Sequence, residues 1–243
     1  MLKILFVYNF ININNFMDFY KKNDTCNLSS NQIRDTVDFD VIFGIKSRNN
    51  LVLRNELTKI MTCKKINISS NQITELVNIP EQIEVLNCGS NLLKNLPELP
   101  ESLLYLYIQS NKLTEIDNLP PNLKYLNCSH NLITKLENLP LELNYLDCSV
   151  NKLTNLDYLP YSLEYLICTN NDIEYFDCLP NTLIEFDCNN NKIKNLNNLP
   201  KSIKILSCSG NPDVDIKVLP NIYKIFTTKE LDVNLDNIKV ICK

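Results

Sequence analysis

The sequence predicts a parallel β-solenoid in which each 20-residue coil contributes one short strand. Three observations predict it. Asn recurs every 20 residues, at Asn71, Asn91, Asn111, Asn131, Asn151, Asn171, Asn191 and Asn211. Pro keeps the same spacing from Pro80 to Pro220, eight times without an insertion. Apolar residues hold fixed places around each Asn: Leu123, Leu126, Cys128, Ile133 and Leu136 surround Asn131. Self-similarity at this period marks stacked coils, because one coil cannot bury its apolar face alone.

The elements of a coil follow in order. Leu126-x-Cys128 alternates with a period of two, which predicts a short strand. Leu126 and Cys128 are expected inward, and Tyr125, Asn127 and Ser129 outward. Successive strands stack in parallel, about 4.8 Å apart. The Asn after the strand turns inward at the bend. Its amide donates and accepts, so it can satisfy backbone groups that the turn leaves unpaired. The return path, such as Leu136 to Pro140, is too short and too Pro-punctuated for a full helix. Extended or single-turn 3₁₀ structure is expected there, on a convex side opposite a concave strand face.

The ends depart from the frame. Past Pro220, Tyr223 and Phe226 keep the two Leu positions, but Leu231 takes the Asn position. Residues 222–243 therefore read as a degenerate capping repeat. At the other end Asn31 lies two periods before Asn71, and Cys26, Leu28 and Ile33 fit its frame. Ile42, Ile45, Asn50 and Val52 fit with one inserted residue. The expected organisation is a cap over 1–22, two worn repeats over 23–57, and regular repeats over 58–221. A separate small element at 23–57 is the alternative.

Composition excludes several functions. The 243 residues carry a net charge of −4, so nothing draws the chain to nucleic acid or an anionic membrane in general. Three Gly cannot write a glycine-rich phosphate loop. One His, His130, leaves little for His-ligated metals or His-based acid–base chemistry. The absence of Ala beside 38 Asn reads as an AT-rich genome. Asn9 and Asn12 interrupt the apolar start and no cleavage site follows, so no leader is expected. No apolar run approaches the roughly 20 residues of a membrane span. The expectation is a cytoplasmic protein with reduced thiols (host cytoplasm, if the source is viral).

The pattern L-x-x-L-x-C-x-x-N-x-I resembles the leucine-rich repeat, L-x-x-L-x-L-x-x-N/C-x-L. The segment Asn91 to Ile116, with its Leu-Pro dipeptides, is similar to the 20-residue class found in effectors of enteric bacterial pathogens. The composition also resembles leucine-rich-repeat proteins of amoeba-infecting giant viruses. The likeness covers about residues 58–221. It implies a curved leucine-rich-repeat solenoid with little helix, serving as a protein-interaction module. Some resembling effectors carry a further ubiquitin-ligase domain with a catalytic Cys. About 22 residues after Asn221 leave no room for one, so the expectation is a non-enzyme with no cofactor.

Ten cysteines invite metal or disulfide readings. The column Cys88, Ile108, Cys128, Cys148, Cys168, Cys188, Cys208 argues for a small buried hydrophobe instead. Parallel Cβ vectors and 19-residue gaps offer neither converging zinc ligands nor serial pairs. Cys178 falls on the return path and Cys242 in the tail, where each can be exposed. A Cys128–His130 dyad is disfavoured because one faces the core and the other the bend.

The outward columns carry the functional expectation. Tyr105, Tyr125, Tyr145 and Tyr165 are followed by Glu185 in one column. Tyr107, Asp147, Ile167 and Asp187 lie in the next. Tyr offers large contact area at low entropy cost, and carboxylates set partner choice. Acid–base catalysis by Asp147, Glu185 and Asp187 is the lesser reading. The face is expected to bind a protein partner, with no nucleic acid and no membrane. Oligomeric state is not encoded in this pattern. Two alternatives stand: tyrosines that only stack and stabilise a structural or passenger repeat protein, and an adaptor to host ubiquitin machinery.

Overall fold

The computed structural model describes residues 25–30, 33–38, 63–217, 219–220, 222, 224–227 and 239–242. The expected cap at 1–22 lies outside these residues. So do residues 39–62, with the second worn repeat, and 228–238 of the expected C-terminal cap. The chain divides into two compact units, Met1–Lys112 and Leu113–Lys243.

The first unit holds β1 (Thr25–Asn27), β2 (Arg34–Asp38), β3 (Lys65–Asn67), β4 (Gln72–Val77), β5 (Val85–Asn87) and β6 (Tyr105–Tyr107). Strands β1, β3, β5 and β6 stack in parallel in that order. Cys26 sits opposite Ile66, so β1, two sequence periods away, is the spatial neighbour of β3. Asn71 makes the same join: its Nδ2 donates to Leu28 O at 3.0 Å, and its Oδ1 accepts from Ile33 N at 3.0 Å. On the return side β2 pairs with β4.

The second unit holds β7 (Tyr125–Asn127), β8 (Tyr145–Asp147), β9 (Tyr165–Ile167), β10 (Glu185–Asp187), β11 (Ile205–Ser207), β12 (Lys224–Thr227) and β13 (Lys239–Cys242). They form one parallel stack. From β7 to β11 the register advances by one sequence period per strand, Tyr125 to Tyr145 to Tyr165 to Glu185 to Ile205. Strands of three residues suffice because the ladder continues past them. Cys128 N donates to Asp147 O, and Cys148 N to Ile167 O, both at 2.8 Å.

The inward positions make the core. Leu123, Leu126, Cys128 and Ile133 are fully buried, and their counterparts repeat from coil to coil. Asn131, Asn171, Asn191 and Asn211 are buried with them. Each staples two coils. In Asn191, Oδ1 accepts from Ile173 N at 3.1 Å, and Nδ2 donates to Cys188 O at 3.1 Å and Cys168 O at 3.0 Å. Buried polar groups are stable only when so paired.

Before the Asn stands a residue in the left-handed region: Ser90 (φ 55°), His130 (φ 54°), Val150 (φ 53°), Asn170 (φ 55°), Gly210 (φ 70°). The chain turns there to aim the Asn inward. Small and polar residues tolerate this conformation, and β-branched Val150 is the exception.

The return path is extended and closed by one turn per coil. Leu143 N donates to Pro140 O at 3.1 Å and Leu183 N to Pro180 O at 3.0 Å, the i+3 bond of a single 3₁₀ turn. Among the described residues there is no helix.

Two expectations are corrected. Ser129 keeps the outward side but is buried there rather than exposed, its Oγ donating to Asn127 Oδ1 at 2.7 Å. At the C-terminal end Leu206 pairs with Ile225, so the last coil is one residue short. Ile222 and Ile225 are the buried pair. Phe226 sits opposite Ser207 and is half-buried, so it does not take a Leu position.

Candidate binding face

The strand face is built by the outward residues of each three-residue strand. In the second unit it presents two columns. Tyr125, Tyr145, Tyr165 and Glu185 form one, and Asn127, Asp147, Ile167 and Asp187 the other. All are half-buried. In the first unit, Tyr105 is 40 % exposed and Tyr107 half-buried, on the same strand.

The tyrosines of the second unit touch one another. Tyr125 and Tyr145 stack with centroids 4.3 Å apart and planes 8° from parallel. Tyr145 and Tyr165 are 6.2 Å apart and tilted by 31°. In-register strands place them so, and each contact adds cross-strand stability. The stack fixes the rings while leaving one edge of the column on the surface. In the first unit, burial and then the neighbouring Tyr105 push the Tyr107 hydroxyl above its usual range.

The carboxylates are held locally. Asp147 Oδ1 accepts from Ser149 N at 3.0 Å and from Ser149 Oγ at 2.6 Å. Asp187 Oδ1 accepts from Asn189 N at 3.2 Å. The same turn recurs with Asn67 and Ser69. The signal was present in the sequence as Asn or Asp two residues before Ser or Asn, a spacing at which the side chain caps the backbone two residues on. One oxygen of each Asp therefore serves the bend.

The cysteines are core residues. Cys88, Cys128, Cys148, Cys168, Cys188 and Cys208 are buried and unbridged. Burial pushes the Cys88 thiol up to about 12 and the Cys208 thiol up to about 11. Burial raises Cys128, Cys148, Cys168 and Cys188 as well, Cys168 further through its neighbours Cys148 and Cys188. A thiol held neutral is a poor nucleophile and ligand. His130 is exposed while Cys128 is buried, so the two do not form a dyad. Cys178 is exposed on the return path.

No protein-family model matches the chain, and no curated protein does. Solved structures do. The chain is similar to the leucine-rich-repeat domain of a Shigella effector, at 37% identity and TM-score 0.50, over 56% of this chain and 63% of that one. It is also similar to YopM, a leucine-rich effector protein from Yersinia pestis, at 30% identity and TM-score 0.61, over 76% of this chain and 48% of that one. The leucine-rich repeat domain of APL1B aligns over 94% of this chain and 69% of that one, with TM-score 0.64 at 17% identity, a likeness of fold alone. The chain has the leucine-rich-repeat fold. It spans less than two thirds of either bacterial protein.

In this leucine-rich-repeat chain the strand-face residues come together as two groups. Tyr125, Tyr145, Tyr165, Asp147, Ile167, Glu185 and Asp187 share the face of the second unit, and Tyr105 and Tyr107 that of the first. Sequence reasoning overlooked the return side. There Leu141, Tyr158, Tyr161 and Tyr175 are the most exposed large apolar residues described.

Proposed function

We propose that the chain is a non-enzymatic protein-interaction module, and that its partner rests on the strand face. The stacked tyrosines of the second unit carry this reading. A ring already fixed by its neighbour loses little freedom when a partner covers it, so its contact area converts efficiently into affinity. Asp147, Glu185 and Asp187 would select the partner by charge, with Ile167 as the apolar contact between them. Between β7 and β10 those columns carry carboxylates and no lysine, which argues against nucleic acid as the ligand there. The site of action in this reading is the cytoplasm.

The test is a cross-linking pull-down with the full chain and with a Tyr105→Ser/Tyr125→Ser/Tyr145→Ser/Tyr165→Ser variant shown by circular dichroism to be folded. One partner captured by the first and lost by the second is the expected result. Equal capture by both would make the tyrosines scaffold and end the reading. Cell fractionation in the natural source tests the compartment.

A further inference from the structure

The largest exposed apolar side chains of the second unit lie on the return side, in three consecutive coils. Tyr158 is 84 % exposed, Tyr161 80 %, Leu141 76 % and Tyr175 56 %. Leu141 and Tyr161 hold the same position in adjacent coils, directly after Pro140 and Pro160. Tyr175 pairs across to Asn155 of the coil that carries Tyr158 and Tyr161. Scattered exposed apolar residues need no explanation, but a cluster of this size in one region does.

The charge around the cluster is one-sided. Return segments 133–142, 153–162 and 173–182 contain Glu137, Glu142, Asp157, Glu174 and Asp177 against a single cation, Lys135, which pairs with Glu137 at 3.5 Å. A groove of about 300 Å³ opens beside Tyr175, between it and Lys194, Asn195 and Asn198. Lys194 is its one cation and is held by Glu174 at 3.0 Å. Asp177 borders the groove and makes no ion pair among the described residues.

We propose that the return side of coils 131–190 is a second docking surface, occupied by a lysine- or arginine-bearing segment of a partner protein. Tyr faces attract such cations, and the aliphatic stems of Lys and Arg cover apolar surface such as Leu141. Asp157 and Asp177 receive the charges, and the groove beside Tyr175 takes one side chain. Complementarity excludes the other occupants. A second copy of this face would set carboxylate against carboxylate, and anionic lipid or nucleic acid would be repelled. This surface is separate from the strand face, so either proposal can fail alone.

The experiment titrates the full chain against a labelled peptide of alternating Lys and Leu, and against its Glu and Leu counterpart, by fluorescence anisotropy. The basic peptide should bind at least about tenfold more tightly. Tyr158→Ser/Tyr161→Ser and, separately, Asp157→Asn/Asp177→Asn should each weaken it by about tenfold. Tyr158, Tyr161 and Asp177 are exposed and Asp157 half-buried, and circular dichroism checks folding of each variant. Tyr125→Ser/Tyr145→Ser should leave binding within about twofold. No preference between the peptides, or a loss confined to the strand-face variant, would overturn the proposal. A dimer in sedimentation that Tyr161→Ser dissolves would assign the face to a second copy instead.

Discussion

On the strand side of residues 113–217 every coil repeats the same bonds, whereas on the return side neighbouring coils share few. The Asn column joins each coil to the next through both amide atoms. The return side keeps one regular bond between coils at its start, such as Lys152 N to Ile133 O and Asp172 N to Leu153 O, and beyond it offers one Pro-closed turn per coil and irregular links such as the bridges Asn155 to Tyr175 and Asn195 to Asp215. At the inward positions dense bonding admits one residue type or a close equivalent, and sparse bonding admits many. Phe176 shows this: it stands where Leu136, Leu156 and Leu196 stand, half-buried and edge-on to Phe186 at 5.9 Å. Uniformity thus marks where the fold is made, and divergence marks where a surface is free to specialise.

Alkaline pH should break the strand side most strongly. Burial pushes the folded Cys88 thiol up to about 12 and the Cys208 thiol up to about 11, above the roughly 8.5 of an unfolded thiol. The folded state therefore keeps protons that the unfolded state releases. Stability is intact below about pH 8.5 and falls from there through pH 11 and beyond, by about 1.4 kcal/mol per pH unit for each such thiol. Urea midpoints measured across that window would show it, and a flat profile would contradict thiol burial.

Asn191→Leu should cost about 2 kcal/mol, because it strands the Ile173 amide in the core and removes one of the two amide donors of the Cys168 and Cys188 carbonyls, which keep Asn171 and Asn211. The same urea titration measures it. A loss below about 1 kcal/mol would mean that the return side shares the load.

Val150→Asn should stabilise by about 1 kcal/mol, since Asn accepts the left-handed φ of 53° that Val resists. A raised melting temperature is the readout. On the return side Phe176→Leu restores the residue of the other coils and should move stability by less than about 1 kcal/mol, the smallest effect of the four. A large loss there would blur the contrast between the two sides.

Much of the strand side was legible because periodicity encodes burial. Leu126, Cys128 and Asn131 needed only their spacing to be placed inward. The burial of Ser129 was missed because a period of two takes no account of a hydroxyl returning to Asn127. Phe226 was misplaced because a one-residue deletion is invisible when no Asn follows to reset the frame. The tyrosine column could be read from the sequence, but not that its rings lie 4.3 Å apart. Tyr158 and Tyr161 passed unnoticed because their columns do not repeat.

The sequence by itself determined the repeat, the inward set and the Asn column, because each depends on a period that one coil imposes on the next. Tertiary structure alone decided that β1 meets β3, that the Tyr125 and Tyr145 rings stack 4.3 Å apart, and that apolar bulk collects on the return side. Those features depend on distances between coils and side chains that no period fixes, and only the folded chain sets such distances.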